Sequence, residues 1–440
     1  MRRSLAIAGA AVAVCAAAGP LHAQGSSVDQ QSACMTGRVG AGIAHPCDDA
    51  SAVYFSPAGL VMHPGAVSIG VSLVNSSNEF QYDATADPSR TVIHRDAETV
   101  PVPQVFASYR VNPRVAVGIG AWAPFGLGLE WPVCPVDNPG CTGENFEGRF
   151  TGYDNSLRAV YIQPTVSFAA IPDRLLLGVG VDYVTSSIEV HRRGDAPTVG
   201  LAGVDVADAV LEGDGTGVTA HVGAMLKITP RTWIGARYLH SVSVDMDGTA
   251  DFEQVPVNTV VDALLAPQFV DGGPLGDQGI STEVEFPWQF VVGISHQATD
   301  QLNLMFDYQR TGWSAFDAFD IDFENATAAN QVLTLNYRDA NTFRFAAQYD
   351  WNERLTLRGG FRYNTAATPR ATPFLPEGER NYYTAGIGYA ITPKLSADFG
   401  YQFIHQPDRR GAVRPSGPEV GVYSAKGQIF GFTLAYRFGK

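Results

Sequence analysis

Four hundred and forty residues carry 44 acidic against 30 basic side chains, a formal net charge of −14, with 46 glycines and 11% aromatic residues. That acidity excludes nucleic acid as a partner, which needs a basic footprint. Mean hydropathy is near zero, no apolar run approaches the roughly 20 residues of a membrane helix, and the length suggests two or three soluble domains unless the chain closes a large barrel.

The chain begins with Arg2-Arg3, an apolar stretch from Leu5 to Ala18, and Leu21-His22-Ala23 before Gln24. This reads as a cleaved signal peptide over residues 1–23. Val14 is too large to precede a lipidated cysteine, so Cys15 belongs to the apolar stretch. Export implies an oxidising compartment, where disulfides are the default. Four cysteines remain, and nearest-neighbour pairing joins Cys34 with Cys47 and Cys134 with Cys141, one of three possible connectivities. His45 has no second histidine at zinc-ligand spacing; neither a metal site nor a cofactor is expected.

Residues 24–65 form a compact stretch rich in Gly and Ala, interrupted by Asp48-Asp49 and ending near Phe55-Ser56-Pro57-Ala58-Gly59. It reads as a small plug ahead of the first strand. Small residues around Pro57 permit close packing.

From Val67 onward, over residues 66–440, a period of two recurs. Val67, Ile69, Val71 and Leu73 alternate with Ser68, Gly70 and Ser72; Phe343, Phe345, Ala347 and Tyr349 alternate with Arg344, Ala346, Gln348 and Asp350. The final segment sets Phe430, Phe432, Leu434, Tyr436 and Phe438 against Gly431, Thr433, Ala435 and Arg437. Each segment has one apolar and one polar face. A soluble sandwich would bury the apolar faces between two sheets; a membrane barrel turns them toward lipid.

Connections decide for the barrel. Short Pro/Asn/Asp turns at 112–114, 172–174, 229–231, 299–300, 351–354 and 392–394 alternate with long loops near 76–100, 126–156, 191–215, 247–283, 313–331, 365–379 and 406–424. Short periplasmic turns and long outer loops are the wiring of outer-membrane barrels. The class is all-β: a transmembrane antiparallel β-barrel of about fourteen strands, each about ten residues long.

Two long loops carry apolar residues. Leu201 to Leu211 and Val257 to Val270 each read as a short amphipathic helix. Val206, Val210, Leu211, Val261, Leu264, Leu265 and Phe269 would make either a greasy entrance or a helix packed on its own loop. No G-x-S-x-G, H-E-x-x-H or phosphate loop occurs, so no enzyme is expected.

Several segments resemble the FadL/TodX family of outer-membrane transport proteins. The stretch from Gly37 to Leu60 is similar to its hatch signature, with Ser56 where Asn is usual; the resemblance implies an N-terminal hatch in the barrel lumen, with Asp48 and Asp49 expected to pair with lumen arginines such as Arg344, Arg358 or Arg362. Further likenesses are Trp122-Ala123-Pro124-Phe125-Gly126-Leu127, Leu157 to Pro164, Trp313-Ser314-Ala315-Phe316, and Leu375-Pro376-Glu377-Gly378-Glu379-Arg380. The resemblance implies an outer-membrane channel for hydrophobic small molecules, long-chain fatty acids ahead of aromatic hydrocarbons, with lateral release into the bilayer. Pro124, Phe125 and Gly126 would mark the lateral opening, since Pro breaks a central strand. Arg192 and Arg193 are the candidate partners of a substrate carboxylate. Other expected partners are outer-membrane lipid, lipopolysaccharide and the barrel-assembly machinery, although Gly439-Lys440 follow Phe438 where an aromatic residue usually ends the chain. The competing class is a structural or adhesive barrel that transports nothing.

Overall fold

A computed structural model describes residues 31–85, 92–95, 98–134, 146–316, 318–326, 328, 330–334, 336–414 and 417–438. The signal peptide, Cys141 and Gly439-Lys440 lie outside the described residues. Fourteen antiparallel strands close a barrel. They are β1 (Gly65–Tyr82), β2 (Glu98–Asn112), β3 (Val115–Glu130), β4 (Asp154–Ile171), β5 (Leu175–Gly194) and β6 (Ala207–Thr229). Next come β7 (Thr232–Leu239, resumed as Val242–Gln254), β8 (Gln278–Phe286, resumed as Gln289–Gln297) and β9 (Leu302–Thr311). The last are β10 (Ala340–Asp350), β11 (Leu355–Asn364), β12 (Arg380–Ala390), β13 (Leu395–Ala412) and β14 (Glu419–Arg437). Closure is made by β1 on β14, in register from Ala66 opposite Arg437 to Tyr82 opposite Gly421. Outside the barrel proper, Ala318–Phe323 and Gln331–Thr334 form a hairpin that touches β8 at Ile280 and Ser281.

The two faces of each strand are sorted by solvent. On β5, Val179, Val181 and Tyr183 are exposed, while the alternating Asp182 and Val184 are fully buried. On β14 the exposed residues are Phe432, Leu434 and Tyr436, and the buried ones Thr433 and Ala435. Apolar side chains thus point out and the polar face points in, the inverse of a soluble core and the arrangement a bilayer demands. Tyr109, Trp351, Tyr389 and Tyr436 stand exposed near the short-turn end, where amphipathic rings suit the lipid–water boundary.

Two expectations are corrected. Strands are longer than a bilayer crossing requires: β5 has 20 residues and β6 has 23. Their upper ends take over most of what the sequence presents as a loop at 191–215, because Gly215 and Gly217 mark close approach of the facing strand and not a turn. A Cβ on Gly215 would lie 2.1 Å from the Asp245 carbonyl oxygen of the facing strand. The helix expected over 201–211 is also absent. Leu201 bridges Ala196 and β6 begins at Ala207, where Ala207, Ala209 and Leu211 are buried in strand alternation. Its counterpart does form: the helix Thr259–Leu265 is capped by the Asn258 side chain, which accepts from the Val260 and Val261 N–H groups at 3.1 Å.

Candidate functional site

Residues 31–62 lie inside the lumen as two short helices, α1 (Ala33–Gly37) and α2 (Ala52–Phe55), and a 3-10 turn at Pro57–Met62. Most of the segment is buried, so its backbone groups need partners from the wall. They find them on inward-facing side chains. One oxygen of Asp307 accepts from Gly42 and Ile43 N–H, at 2.8 and 3.1 Å. Thr433 Oγ1 accepts from Ala33 N–H at 2.9 Å, Ser167 Oγ donates to the Ala58 carbonyl at 2.7 Å, and Thr384 Oγ1 donates to that of Gly37 at 3.0 Å. Inward glycines let main chain meet main chain. A Cβ on Gly178 would stand 2.4 Å from the Pro57 carbonyl carbon, and one on Gly386 2.8 Å from the Gly37 Cα.

Within the segment, Cys34 and Cys47 are bridged, as expected. Cys134 is also disulfide-bonded. Ser56 donates to the Ile43 carbonyl at 2.7 Å, and Phe55, Pro57, Ala58 and Gly59 are buried around it. The aspartates depart from expectation. Asp48 pairs with Arg437, Nε to Oδ2 at 2.7 Å, and Asp49 accepts from Ser51 N–H at 3.0 Å, from the Ser51 hydroxyl at 2.5 Å, and from Ser32. The three arginines named from sequence bond within the wall: Arg358 to Asp398 at 2.6 Å, Arg344 to Gln309 at 2.8 Å, and Arg362 to Asn364 at 2.7 Å. Each cation finds an acceptor in the wall, Arg362 on its own strand, Arg344 on the adjacent β9 and Arg358 two strands away on β13.

Above this polar half the lumen turns apolar. Tyr54 of α2 is the boundary. Its ring lies 3.8 Å from that of Trp122 on one side and 4.1 Å from the Arg237 guanidinium on the other, and its hydroxyl donates to Gln289 at 3.1 Å. Over it, Trp122 meets Tyr161 with centroids 5.5 Å apart, and Phe125 stacks on Phe286 at 5.4 Å and meets Trp313 edge-on at 5.7 Å. Leu157, Val244, Val284, Phe316, Tyr337, Phe374 and Leu375 belong to the same buried cluster. This aromatic chamber escaped the sequence reading. Its signal is a loss of alternation: in β4, inward Leu157, Ala159 and Tyr161 interleave with apolar Val160 and Ile162, so both faces read alike.

The wall beside the chamber is incomplete. β2 pairs with β3 only from Val105 opposite Ala121 down to Asn112 opposite Val115. Among the described residues, Pro101 to Gln104 pair only with β1, and Trp122 to Glu130 only with β4, where the register shifts by a bulge between Trp122 and Phe125. Pro124 sits in that bulge. Pro101 and Pro103, which lack donors on one edge of β2, are a second mark of the break that the sequence reading passed over. Val100, Val102, Ala121 and Ala123 cluster at the break, and Gln31 donates to the Ala123 carbonyl at 2.8 Å. Phe125 turns inward and is fully buried, while Gly126 pairs with Arg158 of β4.

The outer-loop residues fall into two places. Val206 and Leu265 are buried together with Val261 and Phe269 packed on them, whereas Leu211 joins a separate cluster with Ala250 and Ile280. Leu264 is exposed, and Val210 faces away from its neighbour Leu211. Arg192 and Arg193 are consecutive on β5 and so point to opposite faces. Arg193 is already engaged, donating to the Cys134 carbonyl at 3.0 Å and lying 3.3 Å from Asp208.

Fold and site together define a transmembrane barrel whose lumen is filled below by its own N-terminal segment and lined above by an apolar chamber beside a broken wall. Residues 13–438 match the family described as outer membrane protein transport protein (OMPP1/FadL/TodX). The chain belongs to that family, whose members are outer-membrane transporters of hydrophobic compounds. It is 26% identical over 437 residues to outer membrane protein P1 of Haemophilus influenzae, covering 90% of this chain and 88% of that one. It is 20% identical to the long-chain fatty acid transport protein of Escherichia coli, over 97% of each. The crystal structure of a Pseudomonas aeruginosa FadL homologue superposes with a TM-score of 0.78 at 21% identity, covering 94% of this chain and 100% of that one.

Proposed function

We propose that the chain carries hydrophobic small molecules passively into the outer membrane, long-chain fatty acids first, by capture at the outer loops, passage through the aromatic chamber and lateral release between β2 and β3. The unpaired stretch of wall beside that chamber is the observation that carries the reading. A lateral exit suits the physics. The sugar layer outside opposes apolar solutes, whereas hydrocarbon gains about 0.8 kcal/mol for each CH₂ buried. A solute leaving sideways reaches that hydrocarbon without traversing the polar half of the lumen, where residues 31–62 act as the hatch. Exposed Leu264 and partly buried Val261 and Phe269, seated on buried Val206 and Leu265, form the outer capture surface, and Pro124 with Gly126 keeps the exit open.

Replacing Pro124 and Gly126 together with Val restores strand-forming residues and slows oleate uptake in a correctly inserted barrel. Undiminished uptake would remove the exit. The aromatic lining favours a second reading, uptake of aromatic hydrocarbons by the same route. Growth of a deletion strain on oleate and on an alkylbenzene separates the two. A deletion that alters neither, but weakens adhesion or envelope integrity, points to the structural class.

A further inference from the structure

Residues 365–379, between β11 and β12, are drawn down into the barrel mouth. Ala371 bridges Gly411 of β13, and Trp131 donates its indole N–H to the Pro373 carbonyl at 3.0 Å. Gln406 accepts from Gly378 N–H at 2.9 Å and donates to the Pro376 carbonyl at 2.8 Å. Arg409 donates to the carbonyls of Glu377 and Thr368.

Held this way, the loop puts two unlike groups in two unlike places. Phe374 and Leu375 are buried in the aromatic chamber. Two residues on, Glu377 lies in a nest of guanidiniums: Arg380 Nη1 is 4.0 Å from its carboxylate, and Arg409 and Arg362 are close enough for their charges to act on it. Burial pushes this carboxyl up, and the three arginines oppose the push. The nest adjoins the chamber through Tyr337. That ring stacks on Phe316 with centroids 5.9 Å apart, while its phenol is held above its usual range, first by burial and then by the charge of Glu377.

An apolar body followed at once by a single negative charge is the outline of an anionic amphiphile. Buried guanidiniums need an anion, and in this state the chain supplies its own. We propose that Phe374 to Glu377 is an internal stand-in for the substrate. A ligand with an apolar body and one anionic head displaces it, the head replaces the Glu377 carboxylate among Arg362, Arg380 and Arg409, and loop 365–379 leaves the mouth. The proposal rests on reading the chamber as the transport route and narrows its cargo to charged amphiphiles. A neutral ligand displaces Phe374 and Leu375 equally well but leaves the nest short of the Glu377 charge, so it binds more weakly.

The purified full-length chain in neutral detergent is titrated calorimetrically with dodecanoate and with dodecanol. Wild type prefers dodecanoate by on the order of tenfold, the worth of one charge-assisted hydrogen bond. Glu377→Gln loosens the latch, so both ligands bind more tightly and the preference is kept. Arg380→Gln removes part of the nest, and the preference falls toward one. A second readout uses wild type alone: dodecanoate increases proteolytic cleavage within 365–379. Equal affinities in wild type, or Glu377→Gln affinities no tighter than wild type, overturn the stand-in. So does cleavage that is unchanged by dodecanoate. If neither ligand binds wild type or Glu377→Gln, the chamber is not the route and the underlying reading falls with it.

Discussion

Asp307 carries more of the N-terminal segment than any pattern in the sequence indicates. A single inward carboxylate oxygen accepts two main-chain N–H groups, those of Gly42 and Ile43, where no water competes. Removing it leaves both donors buried and unpaired, at roughly 1–3 kcal/mol each. Asp307→Ala therefore frees the segment while leaving the wall intact, and Asp307→Asn, which keeps an acceptor oxygen, does so less. Planar-bilayer conductance checks this: the Ala variant conducts small ions more than wild type, and a variant as tight as wild type rules the account out. Such residues were illegible because an Asp in an alternating strand says only that it faces in. The partner is set by where a distant irregular segment comes to rest. For the same reason the sequence named other arginines than Arg437 for Asp48 and did not foresee the serine partners of Asp49.

At the scale of elements, the Cys34–Cys47 bridge closes a loop of 13 residues in sequence separation within the segment itself. A crosslink of that span stabilises by about 3 kcal/mol through the entropy of the open chain. Replacing both cysteines with Ser speeds hydrogen exchange at the amides of Val39 to Val61 and leaves that of β10 to β14 unchanged. Parallel loss of protection in the strands would mean that the segment and the wall fold as one unit. The strands themselves were legible because lipid outside and polar side chains inside impose a clean period of two, as in β14. The chamber was not, because apolar inward residues such as Leu157 and Tyr161 make the upper half of β4 apolar on both sides. The break in the wall was half legible. Pro124 announced it, while Pro101 and Pro103 on the opposite edge were passed over. The segment 201–211 misled because a few apolar residues among aspartates fit a helix and a strand about equally well until a neighbouring strand chooses.

Over the whole molecule, closure could be read from the alternation of short turns and long loops, but the height of the wall could not. Strands β5 to β8 rise beyond a bilayer crossing, and their outer face there is acidic. Glu189 is opposite Glu212, Asp214 opposite Asp247, and Asp245 opposite Glu283. Most of these side chains are exposed. Directly opposed like charges destabilise a sheet by about 0.2–1 kcal/mol each, so three such pairs cost the extension about 0.6–3 kcal/mol, in a chain whose net charge is −14. Salt relieves this, because the screening length falls from about 10 Å at 0.1 M to about 3 Å at 1 M. The apparent melting temperature in detergent therefore rises with sodium chloride, by a few degrees at most given the size of the chain. Asp214→Asn raises it at low salt and flattens its dependence on salt, since it removes one of the three repulsions. A melting temperature that falls as salt is added would mean that attractive pairs such as Arg149 with Asp205 and Arg414 with Asp195, at 2.7 and 3.1 Å, outweigh this acidic face, and that the extension is held by its ion pairs in spite of the charge it carries.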